Sequence, residues 1–409
     1  MKKYSLAAIL VCLCGALLAQ PQTDQIKIGH VDTVYSNILK EKRPILIYSP
    51  GFDTVYFSRP QYPVLYVLDG DGYFDALVTM VGQLSQINGN TVLPEMIIVG
   101  IPNTPGHRTR DLTPTKSAID KASGGGGNFT AFMEKELIPY IDKNYATAPY
   151  RTLIGHSLGG LMVVNTLLKH TSLFNAYIAI DPTMFYDNDV LLKQTGALLK
   201  QANFKGSTLF LGFANTMSPG MDTAHVRTDT TELNHHIRAI LTLKDNLQKY
   251  RGNDLRWSYK YNPDDDHNSV PLVAEYEGLR FIFYNNRFPR NQPENQFFDK
   301  HYTADMLHDM IVKHYQLLSQ QRGYAVRPPE YMINQFGYIF LQQSDFERSQ
   351  MFFRVNMDYY PLSFNAYDGM GDYYLARNQK AEAMQYFKKA LKLKFSAEIK
   401  AKLDKLENK

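Results

Sequence analysis

Polar and apolar residues alternate from Gln25 to Tyr56, in stretches such as IKIGHVDTVYS and RPILIYSP. This period of two is that of half-buried antiparallel strands at a sheet edge. The pattern then changes. Tyr62–Leu68 (YPVLYVL) and Met96–Ile101 (MIIVGI) are nearly continuous apolar runs, as strands covered on both faces require. Ala176–Ile180 (AYIAI), Thr208–Phe213 (TLFLGF) and Leu255–Tyr261 (LRWSYKY) read as further strands. Between them lie stretches with helical spacing. Asn128–Tyr145 carries Phe129, Phe132, Met133, Leu137, Ile138 and Ile141 on one face, and Thr231–Tyr250 forms another helix. Strands that alternate with helices predict an α/β fold: a mostly parallel sheet with helices on both faces.

Near Arg287 the texture changes. RFPRNQPEN is polar and holds two prolines, as a domain boundary does. From about Tyr331 the chain reads as helical, with residues matching 34 positions apart: Phe340 with Tyr374, Ser349 with Ala383, Phe353 with Phe387. This resembles tetratricopeptide repeats; two ordinary amphipathic hairpins are the alternative. Fewer than three repeats seldom stand alone, so they are expected to lean on the helix Thr303–Gln320 or on the first domain. The expected organisation is a leader over 1–19, an α/β domain over 20–290, a linker and helix over 291–329, and a small all-α domain over 330–409.

The start, Met1-Lys2-Lys3, is basic, and Ser5 to Ala19 carries no charge. That is the pattern of a secretory signal peptide, predicting a secreted or periplasmic protein; a retained N-terminal anchor is the alternative. Both cysteines, Cys12 and Cys14, fall within it. The mature chain then offers no disulfide, thiolate nucleophile or Cys-ligated metal site. A net charge of +4, with no basic block, does not point to nucleic acid. No cofactor or metal is expected, and no stable membrane span.

Candidate chemistry centres on Thr152–Val164, TLIGHSLGGLMVV. Gly155-His156-Ser157-Leu158-Gly159 is a G-x-S-x-G match with an apolar strand before it and a helix-forming run after it, the context of a nucleophile elbow. Ser157 is the candidate nucleophile. The amide of Leu158, at a helix start, is a candidate oxyanion donor. A serine hydroxyl needs a base, and the base needs an orienting group. Of eleven histidines, His267 follows the final strand, in PDDDHNS. His170, His235 and His236 lie within or at the ends of helices and read as surface or packing residues. The acid is expected in the loop after the Thr208 strand. Asp229 and Glu232 have capping-box spacing, which leaves Asp222 as the choice, with the other two still open and Asn215 a weak orienter. Asp71, between Gly70 and Gly72, is the candidate second oxyanion donor. Arg108 and Arg110 could hold an anionic substrate group; alternatively an Arg–Asp pair with Asp111 staples their loop. Gly124–Gly127 is not a phosphate loop, because no Lys-Ser/Thr follows.

LYVLDGDGYF, RTRDLTPT, SGGGGNFTAFMEKELIPYIDKNY, IGHSLGG and YNPDDDHNSVPLVAEYEGLRF together resemble the esterase D and siderophore-esterase family of α/β hydrolases, over roughly Gln25 to Arg287. The resemblance implies Ser157 as nucleophile, the Leu158 and Asp71 amides as the oxyanion hole, and His267 as base. It leaves the acid open, since members vary there. Asn268, where glycine would be common, is a departure. The expectation is a serine ester hydrolase acting through an acyl-enzyme on siderophore-type, feruloyl or acetyl esters. The competing reading is an inert hydrolase scaffold whose helical repeats bind a protein partner.

Overall fold

The computed structural model describes residues 27–288 and 297–408. The expected leader, with Cys12 and Cys14, and most of the expected boundary segment lie outside these residues.

The edge alternation becomes a hairpin, β1 (His30–Ser36) and β2 (Glu41–Tyr48). The apolar runs become β3 (Tyr62–Leu68), β4 (Ile97–Ile101), β5 (Thr147–His156), β6 (Ala176–Ile180) and β7 (Thr208–Ala214), with β8 (Arg256–Asn262) closing the sheet. The eight strands lie in the order β1-β2-β4-β3-β5-β6-β7-β8. β1 and β2 pair antiparallel, as do β2 and β4; every later pair is parallel. This is the α/β-hydrolase order, mostly parallel as the alternation of elements required.

Helices cover both faces. α1 (Gly70–Ser85) comes first, then α2 (Arg108–Leu112), α3 (Gly126–Phe132) and α4 (Ile138–Asn144). α5 (Leu158–Lys169), α6 (Tyr186–Gln201), α7 (His235–Lys249) and α8 (Val270–Ile282) follow. The predicted Asn128–Tyr145 helix is α3 and α4 joined through a single π turn at Met133–Leu137. Within β3, Val64, Tyr66 and Leu68 pack into one core with residues of α3 to α7, while Leu65 and Val67 pack into the other with Phe74, Leu77, Val270 and Ala274 of α1 and α8. A continuous apolar strand thus still alternates; both of its sides are buried.

Beyond the sheet, α9 (Ala304–Arg322) leads into α10 (Glu330–Gln342), α11 (Phe346–Tyr359), α12 (Phe364–Ala376), α13 (Lys380–Leu393) and α14 (Ala397–Glu407). The 34-residue correspondence has a physical form. A Cβ on Gly337 would stand 2.5 Å from the Phe353 ring, and one on Gly371 would stand 2.5 Å from the Phe387 ring. Each hairpin therefore seats an aromatic ring of its second helix on a bare backbone patch of its first. The helices lean on the sheet domain, as too few repeats to stand alone should. Glu330 Oε2 accepts the Ser58 amide at 2.7 Å, and Lys394 Nζ donates to the Val55 carbonyl at 2.6 Å. Glu330 also accepts from the Ser363 hydroxyl. Among the described residues, no helix is long and apolar enough to cross a membrane.

Gly337→Ala should lower stability by roughly 1–3 kcal/mol, through overpacking against Phe353. Urea-unfolding midpoints check this, and Phe353→Leu in the same chain should recover part of the loss.

Candidate active site

Parallel pairing of β5 with β6 places His156 opposite Ile180. The next residue on each strand, Ser157 and Asp181, therefore leaves the sheet at the same edge. Ser157 has φ 59° and ψ −118°, a left-handed backbone that a serine adopts only under constraint. Its amide donates to the Ile180 carbonyl at 3.0 Å, and its carbonyl accepts from Thr183 at 3.1 Å. α5 begins at once with Leu158. The approach leaves no room for side chains: a Cβ on Gly155 would lie 2.5 Å from the Gly159 main chain, and one on Gly160 would lie 2.8 Å from the Ile180 carbonyl. These are the small residues a nucleophile elbow needs.

Asp181 is fully buried and also left-handed, at φ 40°. Its amide donates to the Gly212 carbonyl at 2.8 Å, and its Oδ1 accepts the Ala214 amide at 3.1 Å. Its Oδ2 accepts from His267 Nδ1 at 2.5 Å and from His236 Nε2 at 2.8 Å. Burial alone would raise the Asp181 carboxyl; the hydrogen bonds from His236 and His267 outweigh it and hold the group well below its usual range. His267 leaves the β8 end, as expected, and its ring lies 4.4 Å from that of His156. With Nδ1 committed to Asp181, Nε2 is the nitrogen left to handle a proton. The Ser157 hydroxyl is hydrogen-bonded to Thr183 Oγ1 at 3.2 Å.

Asp222 does not reach His267, and the choice of it as the acid is corrected. Its side chain is 60% exposed and binds the Ala224 and His225 amides and the His225 ring. The loop after β7 turns outward, and the carboxylate beside His267 comes from the end of β6. Asp229 accepts from the Thr231 amide and hydroxyl and from the Asn234 side chain, ordering the turn before α7 without capping a helix as its spacing had suggested. Glu232 is exposed. Asn215 binds the Asp265 and Pro263 carbonyls rather than a histidine. His236, read as a packing residue, is instead half of the Asp181 contact. The available signal was Asp181-Pro182 directly after AYIAI, one position past the strand that neighbours the elbow.

The oxyanion candidates sit at two helix starts. Leu158 opens α5, and Asp71 is the second residue of α1. Both amides lie in a first turn, where the N–H groups have no partner within the helix and the macrodipole favours negative charge. A Cβ on Gly159 would meet Asp69 Oδ2 at 3.2 Å, so the two helix starts approach closely. Arg108 spends its fork on Asp69, at 2.6 and 2.9 Å. Arg110 binds Glu41 at 2.7 and 3.1 Å and Asp111 at 2.7 Å. The fully buried Arg43 completes this network through Asp111 at 2.6 Å and Glu41 at 2.9 Å. Hydrogen bonding from Arg110 lowers the Glu41 carboxyl to about 2 against the opposing effect of burial. Arg110 thus staples its loop through Asp111 and Glu41, whereas Arg108 pairs with Asp69 at the start of α1 and stays partly exposed.

The fold and the strand–turn–helix at Ser157 together are those of an α/β hydrolase. Residues 36–197 match the family model described as Putative esterase. The crystal structure of an IroE-like serine hydrolase from Shewanella oneidensis is 30% identical and superposes with a TM-score of 0.66, covering 81% of this chain and 99% of its own. The chain belongs to this esterase family. The ferri-bacillibactin esterase BesA of Bacillus subtilis is 29% identical over 164 residues, 34% of this chain and 57% of that protein. The apo-salmochelin esterase of Escherichia coli is 28% identical over 148 residues, 34% of this chain and 46% of that protein. The chain thus spans about half the length of the curated relatives it matches.

Behind His267, His156 Nδ1 hydrogen-bonds the Tyr73 hydroxyl at 2.8 Å. Burial, and then the neighbouring His267, push His156 down from 6.5 to about 4. Its protonation is easier in the unfolded chain, so stability is complete above pH 6.5 and falls as the pH drops towards 4. The contribution is about 3 kcal/mol. His156→Gln should flatten the fall in urea-unfolding free energy between pH 6.5 and 4 by up to that amount.

Proposed function

We propose that this protein is an exported serine carboxylic-ester hydrolase with Ser157 as nucleophile, His267 as base and Asp181 as the orienting acid. The observation that carries the reading is the convergence at one sheet edge of a strained elbow serine and a histidine bonded through Nδ1 to a buried carboxylate. Turning the Ser157 hydroxyl from Thr183 to His267 Nε2 arms the site. Ser157 Oγ then bonds to the ester carbonyl carbon as its proton passes to His267 Nε2. The tetrahedral oxyanion is held by the Leu158 and Asp71 amides. Collapse breaks the ester C–O bond, His267 returns the proton to the departing alcohol, and the acyl group stays on Ser157. Water, giving its proton to His267, releases the acid and restores the serine. Asp181 stays ionised throughout and stabilises the imidazolium. Its depressed pKa suits that role.

The substrate class best supported is a siderophore-type ester, through likeness to relatives named for ferri-bacillibactin and apo-salmochelin. Feruloyl and acetyl esters are the comparison classes. Export rests on the basic start and uncharged run before Gln20.

Turnover of a tricatecholate trilactone, followed by chromatography beside p-nitrophenyl acetate and a feruloyl ester, tests both the reaction and the substrate. Ser157→Ala should abolish hydrolysis; an unchanged rate would sink the proposal. Asp181→Asn should lower kcat by roughly 10⁴-fold by imposing the wrong His267 tautomer. Asp222→Ala should stay within about twofold of the wild type, as an exposed surface change does.

A further inference from the structure

Asp181 Oδ2 carries two imidazole donors, and a serine triad requires only one. We infer that His236 is a positioning residue of this site: it acts through Asp181 to fix and polarise His267. This rests on the hydrolase reading above.

The geometry is specific. His236 is the second residue of α7, with its side chain 16% exposed. Its Nε2 lies 2.8 Å from the same oxygen that His267 Nδ1 approaches to 2.5 Å. The His236 and His267 rings stand edge to face, 5.2 Å apart at 88°. Phe185 closes the other side of His236, 5.5 Å away at 87°. An ionised, fully buried carboxylate offers an acceptor only, so both facing nitrogens must bear hydrogen and His236 is fixed as the Nε2–H form. Rotation of Asp181 away from His267 would break the His236 bond and the Ala214 bond at Oδ1 as well. Three donors thus hold the acid that holds the base.

His236 also sets how strongly Asp181 pulls on His267. Each donor takes up part of the carboxylate's charge, so His236 weakens the pull of Asp181 on His267. The charged and titratable groups around it are Asp181 and His267, with His156 behind His267, and His235 alongside. His235 is itself paired with Asp189 at 3.0 Å and Glu232 at 3.4 Å.

A divalent cation is the competing occupant, since one ligand atom from each of Asp181, His236 and His267 lies within 4.8 Å of the others. The spacing favours hydrogen bonds. Ligands at about 2.0–2.1 Å from a tetrahedral zinc sit about 3.3 Å apart, whereas these nitrogens are 2.5 and 2.8 Å from the carboxylate oxygen.

The test is steady-state kinetics across pH on one ester, with Ser157→Ala alongside. His236→Leu should lower kcat by roughly ten- to a hundredfold, the size of one charge-assisted hydrogen bond, with KM little changed. The acid limb of kcat/KM should move to higher pH, because Asp181 with one donor fewer favours imidazolium at His267. His236→Gln, whose amide reaches the Nε2 position, should recover part of both effects, and the shorter His236→Asn should not. In an Asp181→Asn background, His236→Leu should cost little more. A Leu variant with wild-type kcat and acid limb overturns the inference, as do equal Gln and Asn rates should the Leu variant not fold. Loss of activity on chelation with recovery on zinc also overturns it. In each of these cases an inactive Ser157→Ala leaves the hydrolase reading standing; an active one removes both.

Discussion

The site depends on one register: His156 opposite Ile180 in the parallel pair at the centre of the sheet. Parallel strands end at a common edge, so a residue one step past each strand emerges beside its neighbour. Ser157 and Asp181 are those residues, and both adopt left-handed backbone to leave the sheet. The Ser157 amide bonded to the Ile180 carbonyl locks the two exits together. A slip of one residue would send Asp181 to the wrong face and leave His267 and His236 without their acceptor. The strain at both positions is sustained because β6, the end of β5 and most of α5 around them are buried.

A second constraint lies on the same rim. Arg43 is buried among carboxylates from β2 and α2, with its guanidinium 5.5 Å from the Phe129 ring. A buried arginine is tolerated only when its donors are answered. Glu41, Asp111, Thr104 and the Pro102 carbonyl answer its two terminal nitrogens, while the buried Nε has no hydrogen-bond partner among the described residues. The Arg108 fork on Asp69 extends the framework to the start of α1. The loops on this side are thereby fixed by charge pairs.

The strands were legible because continuous apolar runs of this length leave few alternatives. The elbow was legible because its pattern is local: five residues, a strand before and a helix after. The position of His267 past the last strand was legible from chain order. The acid was not legible in the same way. Asp181 meets His267 across 86 positions, and nothing in the local sequence separates a buried carboxylate from an exposed one such as Asp222. The expected place for the acid, after β7, rested on a usual order of elements; which strand end lies nearest the base is a matter of three-dimensional spacing. The same gap hid the partners of Arg108 and Arg110, which are 39 and 69 positions away. His236 sits in an amphipathic helix, where its spacing is indistinguishable from that of a packing residue.

The helical hairpins are hooked onto the segment around Val55 and Ser58, just before β3 begins. Ser157, Asp181 and His267 all follow strand ends. Helices and serine therefore occupy opposite poles of one parallel sheet. A body seated on the helical pole would therefore leave the end of the sheet that carries Ser157 uncovered, and changes to the helices can be made without touching that end.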